Sequence, residues 1–210
     1  MILIGMFDSP FVRRVAISMR LLSLPFEHRN WSVGRDFDAI RQHNPLGRVP
    51  TLVLDDGETL IESSVILDYL DECAPPERAL LPAAGPERRR ALKLMAIAIG
   101  GAEKGVLQLY EQAFRPPEKR HDGWVARCRS QSDAALDELE RDAAAHGGDW
   151  FVGGRMTQAD ITIACVTTFL TDALALDASR RPVLMRRVAR CEALPAFREI
   201  RLPFAAPQTA

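Results

Sequence analysis

Three short stretches carry side chains able to do chemistry. Residues 7–17, FDSPFVRRVAI, put Ser9 directly before Pro10 and a basic amphipathic run. A serine there occupies an N-cap position, with proline in the favoured first turn of a helix. Its hydroxyl can cap the helix or hold a reactive group at the positive end of the helix dipole. Residues 44–52, NPLGRVPTL, set Pro50 just ahead of a strand run, where it can donate no ladder hydrogen bond. One accommodation is a cis Val49–Pro50 peptide in a tight turn, with the Val49 N–H and C=O free to pair with an extended ligand. A trans proline opening the strand is the other. Residues 60–70, LIESSVILDYL, place Glu62, Ser63 and Ser64 between a strand and an amphipathic helix. Either serine can be the N-cap, and the free N–H groups of a helix start bind carboxylates. With Glu62 holding an ammonium, such a site recognises the end of a free amino acid. A capped helix with an exposed glutamate is the structural alternative.

These residues need elements to position them. Residues 2–7, ILIGMF, read as a short buried strand, and from Pro10 the apolar residues recur at helical spacing. On that helix Val12, Val15, Ala16 and Met19 face inward, while Arg13, Arg14 and Arg20 are expected to face water. An extended segment follows at residues 25–33 and a short helix at residues 36–44. Two apolar runs around Asp55-Asp56-Gly57 then form a hairpin. Residues 64–74 are amphipathic again and stop before Pro75, giving the order βαβαββα.

Beyond a Pro-rich stretch every signal is helical. Residues 86–114 predict one long helix, bent or interrupted near Gly100-Gly101. Residues 124–146 predict another, and residues 157–174 are apolar enough to occupy the centre of a helical bundle. Further helix follows, broken near Pro195. The expected organisation is an α/β domain over 1–76, a linker over 77–86, an all-α domain over 87–203 and a tail over 204–210.

Composition narrows the function classes. The 27 Lys and Arg against 28 Asp and Glu leave a net charge of −1, so no bulk attraction to nucleic acid or membranes is expected. Cys73, Cys128, Cys165 and Cys191 are widely spaced and form no CxxC pattern, so no metal is expected and the thiols read as reduced. No apolar run approaches the roughly 20 residues of a membrane span, and MILIGMFDSP is too short for a signal peptide. The expected location is cytoplasmic.

Taken together, SPFVRR, NPLGRVPTL and ESSVILDYL, in this order on a βαβαββα frame ahead of a helical domain, resemble the cytosolic glutathione transferases. GGRMTQADITIA, at residues 153–164, is similar to that family's structural signature. There Thr157 and Asp160 form a capping box on the buried helix. The resemblance implies a thioredoxin-like first domain that binds glutathione as co-substrate. It also implies a helical domain lining the second-substrate pocket, and a homodimer. Val49 before cis-Pro50 would pair its backbone with the cysteinyl part of glutathione. Glu62 and Ser63 would hold the γ-glutamyl carboxylate and ammonium, and Arg48 would reach the glycyl carboxylate, with His43 and Arg35 as lesser candidates. Phe11 belongs with the glutathione-binding residues. It also joins Met6, Tyr110, Phe114 and Trp124 in the wall around a small hydrophobic electrophile.

Ser9 falls where the resemblance places the thiol-activating residue. The tyrosines are Tyr69 and Tyr110 and the first cysteine is Cys73, so the family's tyrosine and cysteine mechanisms have no residue here. Serine before proline resembles the Cys-Pro of thiol-using relatives with the cysteine replaced, and Asp8 is expected to face away from a thiolate. The implied activity is glutathione S-transfer, by attack of the sulfur on an electrophilic carbon. The alternative is a binding or regulatory protein on the same fold with little catalysis. Thiol–disulfide chemistry is disfavoured by the missing cysteine at position 9.

Overall fold

The computed structural model describes residues 1–206. Four short strands, β1 (Ile2–Ile4), β2 (Glu27–Arg29), β3 (Thr51–Val53) and β4 (Thr59–Ile61), form one sheet in the order β2-β1-β3-β4. β1 runs parallel to β2, with Ile2 opposite Glu27, and antiparallel to β3, with Leu3 opposite Leu52. The parallel pair needs a crossover, supplied by α1 (Pro10–Leu22). The β3–β4 pair closes through the expected turn: the Leu54 N–H donates to Glu58 at 2.8 Å, and Gly57 takes a φ of +91°. A short α2 (Phe37–Arg41) precedes the Val49–Pro50 loop, and α3 (Ser63–Glu72) follows the hairpin. The observed order is the βαβαββα reading, and the domain is thioredoxin-like.

The remainder is helical. α4 (Gly85–Ala113) and α5 (Asp122–Ala145) form an antiparallel pair joined through a 3-10 turn at Pro117–Lys119. α6 (Gln158–Leu174) lies against α1 and α4, and α7 (Pro182–Glu192) and α8 (Pro195–Glu199) close the bundle. α4 begins inside the stretch 77–86 expected as linker and runs without a break past Gly100. Gly101 is there for packing. A Cβ on it would sit 2.8 Å from the Ala135 Cβ, and one on Gly105 would sit 2.7 Å from Leu170. These glycines let α5 and α6 approach the α4 backbone, which replaces the predicted interruption. Part of the 204–210 tail lies outside the described residues.

α6 is the centre of the molecule, with Ile161, Ile163, Val166 and Leu170 fully buried. Its start is held by Asp160, whose carboxylate accepts from the Phe151 N–H, the Thr157 N–H and the Thr157 hydroxyl, each at 2.8 Å. The capping-box residues are therefore in place.

Two expectations about α1 are corrected. Arg13 and Arg14 do not face water: they are 4% and 0% exposed. Arg13 forms a two-pronged pair with Glu192, both contacts 2.7 Å, and also donates to the Phe197 carbonyl at 3.0 Å. Its partners lie in the helical domain, so periodicity within α1 could not reveal them. Only Arg20 is on the wet face, paired with Glu199 at 2.9 Å. No helix among the described residues is long and apolar enough to cross a membrane.

Candidate active site

Ser9 is the N-cap of α1, with extended backbone (φ −72°, ψ 125°), and its carbonyl accepts from the Arg13 N–H at 2.9 Å. Its side chain makes no capping hydrogen bond, so the hydroxyl is not used to hold the helix. It lines a cavity of about 780 Å³ between the two domains. Met6, Phe11, Tyr110 and Phe114 share that wall, with Phe169 and Phe204 closing the far side. Trp124 does not reach the cavity; its ring lies 5.8 Å from the Lys104 ammonium.

A second cavity of about 270 Å³ adjoins the first and is lined by Val49, Pro50, Glu62, Ser63 and Ser64. Phe11, Arg48 and Val49 face both spaces and form the passage between them. All six candidate binding residues and the catalytic candidate thus line one continuous cleft, and Ser63 is at its buried floor. Arg35 and His43 line neither cavity. Arg35 pairs with Asp36 at 3.0 Å, and the His43 ring lies against Trp31 at 5.9 Å.

The Val49–Pro50 bond is cis. The loop carrying it is built by Asn44, 1% exposed, which sequence reasoning did not single out. The Asn44 amide donates to the Arg48 carbonyl at 2.9 Å and the Thr51 hydroxyl at 3.2 Å, and its oxygen accepts from the Leu46 N–H at 3.0 Å. Val49 itself has no hydrogen bond from its N–H or C=O among the described residues. Two unspent backbone groups on a cavity wall are what an extended peptide needs to add itself as a strand. Gly5 keeps β1 tight against this loop: at φ +133°, a Cβ there would lie 2.8 Å from the Val49 Cβ.

At the other end of the cleft, Glu62 is the N-cap of α3 and adopts a φ of +71°. A non-glycine residue there is strained, a state tolerated mainly at sites with a task. Its carboxylate accepts from the Ser64 N–H at 2.9 Å and the Ser63 hydroxyl at 3.2 Å. It is left exposed beside the helix start, where a carboxyl group suits an ammonium. The Ser63 hydroxyl is already engaged, so its backbone N–H in the first turn of α3 is the group left for a carboxylate.

Asp8 corrects a further expectation. It does not face away but lines the large cavity beside Ser9, where its Oδ2 accepts from the Ala205 N–H at 2.9 Å. Burial pushes its carboxyl above the ordinary range, against the hydrogen bond from Ala205. Tyr110 is also pushed up, by desolvation, with the charge of Arg48 opposing. It therefore stays a neutral phenol at physiological pH.

A thioredoxin-like domain, an all-α domain and a cleft lined by both define the class. The sequence matches the pattern "Glutathione S-transferase, N-terminal domain" over residues 3–78 and "Glutathione S-transferase, C-terminal domain" over residues 122–199. Among named relatives, the maleylacetoacetate isomerase of Pseudomonas aeruginosa is 33% identical over 198 residues, covering 89% of this chain and 88% of that protein. The uncharacterized GST-like protein YibF of Escherichia coli K12 is 32% identical over 175 residues, 80% and 81% of the two chains. In three dimensions, a glutathione S-transferase from Methylobacterium radiotolerans, solved with glutathione sulfonate, superposes with a TM-score of 0.87. It is 31% identical and covers 100% of this chain and 95% of its own. The chain belongs to the glutathione S-transferase family.

Proposed function

We propose that this protein binds glutathione along the cleft and activates its thiol, through the Ser9 hydroxyl, for attack on a small hydrophobic electrophile. The carrying observation is that Ser9 stands at a helix N-terminus, with no capping bond from its hydroxyl, on the wall of a cavity of about 780 Å³. In this reading the γ-glutamyl end lies at Glu62 and Ser63, the cysteinyl backbone pairs with Val49 beside Pro50, and Arg48 takes the glycyl carboxylate. Phe11 lies between the peptide and the electrophile. The sulfur then reaches the Ser9 hydroxyl and the positive end of α1, both of which favour thiolate. A related structure from Pseudomonas fluorescens, 32% identical with a TM-score of 0.82, carries bound glutathione, which supports the ligand class.

The test is direct. Calorimetry with glutathione at millimolar concentration and retention on immobilised glutathione should both register binding; failure of both overturns the reading. A panel of electrophiles then separates transfer from silent binding. Retained binding with no turnover on any of them favours a binding or regulatory role.

A second reaction is supported by the isomerase relatives and by Arg48 and Lys104, two cations on the large cavity wall. The same thiolate would add reversibly across a double bond of an acidic substrate and leave after rotation. Turnover that regenerates glutathione without forming a conjugate distinguishes it. We also place the protein in the cytoplasm as a two-fold homodimer. Val65 on α3 and Leu92 on α4 are 53% and 43% exposed, and Leu92 lines the α3–α4 groove. Light scattering at monomer mass would refute the dimer.

A further inference from the structure

Lys104 brings a positive charge into the large cavity with no anion to match it. It lies on α4, is half-buried, and lines the cavity of about 780 Å³ but not the smaller one beside Glu62 and Ser63. Arginines that are withdrawn from water elsewhere hold carboxylates: Arg13 meets Glu192, Arg90 meets Asp142 and Arg181 meets Asp133. Lys104 has no carboxylate within ion-pair distance among the described residues. Its neighbour is instead the Trp124 ring, 5.8 Å from the ammonium. An aromatic face steadies a cation without neutralising it. An ammonium has three donors and no acceptor, so an oxygen anion is the partner it lacks.

The other charges on this wall leave that cation free for a ligand. Asp8 is engaged by the Ala205 N–H at 2.9 Å, and burial favours its neutral form. Glu103 precedes Lys104 but points about 100° away around the helix. It also lines the cavity beside Glu62 and the α3–α4 groove, so it stands at the junction of three spaces, towards Glu62. Arg48 faces both cavities and is the group assigned above to the glycyl carboxylate. Lys104 remains for the second ligand. Beyond it, Leu107, Tyr110 and Phe114 on successive turns of α4 carry exposed apolar surface along the same cavity. That stripe is about 15 Å long from Lys104 to Phe114. An apolar wall with one well-placed charge orients a ligand that has an apolar body and an anionic end.

We propose that Lys104 is the subsite for a carboxylate on the second substrate, so that the protein favours aromatic or alkenyl electrophiles bearing that group over their neutral counterparts. This deepens the glutathione reading given above and rests on it. Arg48 and Lys104 then take separate carboxylates, one on each ligand.

The probes are S-(4-carboxybenzyl)glutathione and S-(4-carbamoylbenzyl)glutathione, which differ only in carboxylate against neutral amide and report the subsite without turnover. Titration calorimetry compares them, with glutathione alongside, on wild type, Lys104→Met, Lys104→Arg, Lys104→Glu and Arg48→Met. Wild type should prefer the acid by about three- to tenfold, and added salt should shrink the preference. Lys104→Met should abolish it, Lys104→Arg should keep most of it and Lys104→Glu should reverse it. Arg48→Met should weaken glutathione and both conjugates alike while the preference stays. Equal wild-type affinity for the two conjugates, or a preference that survives Lys104→Met, overturns the assignment. So does a preference that disappears in Arg48→Met, which would put both carboxylates on one cation. A wild type that binds glutathione but neither conjugate overturns this inference and leaves the peptide site standing. One that binds none of the three overturns the glutathione reading as well.

Discussion

Replacing Ser9 with alanine separates chemistry from helix capping, because the structure assigns the hydroxyl no capping bond. A working cap would cost about 1 kcal/mol on removal, or roughly 2–4 °C in a chain of this size. Ser9→Ala should instead stay within about 0.5 kcal/mol of wild type. Its effect belongs to the bound thiol. A thiol with a pKa of about 8.5 is roughly 3% ionised at about pH 7. One charge-assisted hydrogen bond of about 1.5–3 kcal/mol lowers that pKa by about 1–2 units and raises the thiolate to roughly 25–75%. The variant should therefore lose roughly 10–25-fold in conjugation rate at about pH 7, with the gap closing above about pH 9 as both thiols ionise. Thiolate absorbance of the glutathione complex titrated against pH, rate profiles over the same range and a melting curve measure the three quantities. A variant that melts several degrees lower while its bound thiol titrates as in wild type would refute the reasoning and make Ser9 a cap alone.

Gly5→Ala would put a methyl 2.5 Å from Val12 Cγ2 and 2.8 Å from the Val49 Cβ at a φ of +133°. It should cost about 1–3 kcal/mol and weaken glutathione binding through Val49, to be read by melting and calorimetry. Asp160→Ala strands the buried N–H groups of Phe151 and Thr157 at the start of the central helix. A loss of roughly 3–5 kcal/mol in urea unfolding is expected, and one below about 1 kcal/mol would contradict the role given to this carboxylate. Glu192 would be raised by burial, but the hydrogen bonds and charge of Arg13 overcome this and hold it below its ordinary value of 4.5. Its contribution is therefore full above that value and is lost as pH falls through the lower folded pKa. Glu192→Gln should cost about 3 kcal/mol at neutral pH, shrinking in acid; a difference independent of pH would show that charge is not the cause.

Elements whose signals are local were legible in the sequence. The Asp55-Asp56-Gly57 turn specifies the hairpin because Gly57 supplies the positive φ and the flanking runs supply the pairing faces. The apolar run of α6 can be satisfied only in the centre of the bundle, and Thr157 with Asp160 marks its start. The cleft residues were legible as types, since proline before a strand and an acid-serine pair before a helix have few uses. Partners far along the chain were not legible. Arg13 meets Glu192, Arg14 meets Ser63 and Thr162, and Asp8 meets Ala205, so helical periodicity assigned the arginines to solvent, and repulsion of a thiolate at Ser9 assigned Asp8 to the outside. Asn44 was missed for a related reason. An asparagine before proline reads as an ordinary turn, and only the fold shows it holding the loop that presents Val49.

The placement of Ser9 and Arg14 on one helix has its own consequence for the site. Five residues of α-helix rise about 7.5 Å, so α1 acts as a rigid spacer between Ser9, proposed to activate the thiol, and the buried Arg14 guanidinium beneath Ser63 and Ser64. The spacer is held from both sides. Arg13 ties it to Glu192, Phe197 and Ile200 of the helical domain, and Arg14 ties it to α3 and to Thr162 of α6. The distance between Ser9 and the start of α3 is therefore set by interdomain contacts rather than by the α/β domain alone. In the proposed binding mode, Ser9→Ala should alter the sulfur end only. Loosening Arg13 by Glu192→Gln should let α1 shift against α3 and weaken both functions together, in binding and in thiol ionisation, at a pH where the protein remains folded.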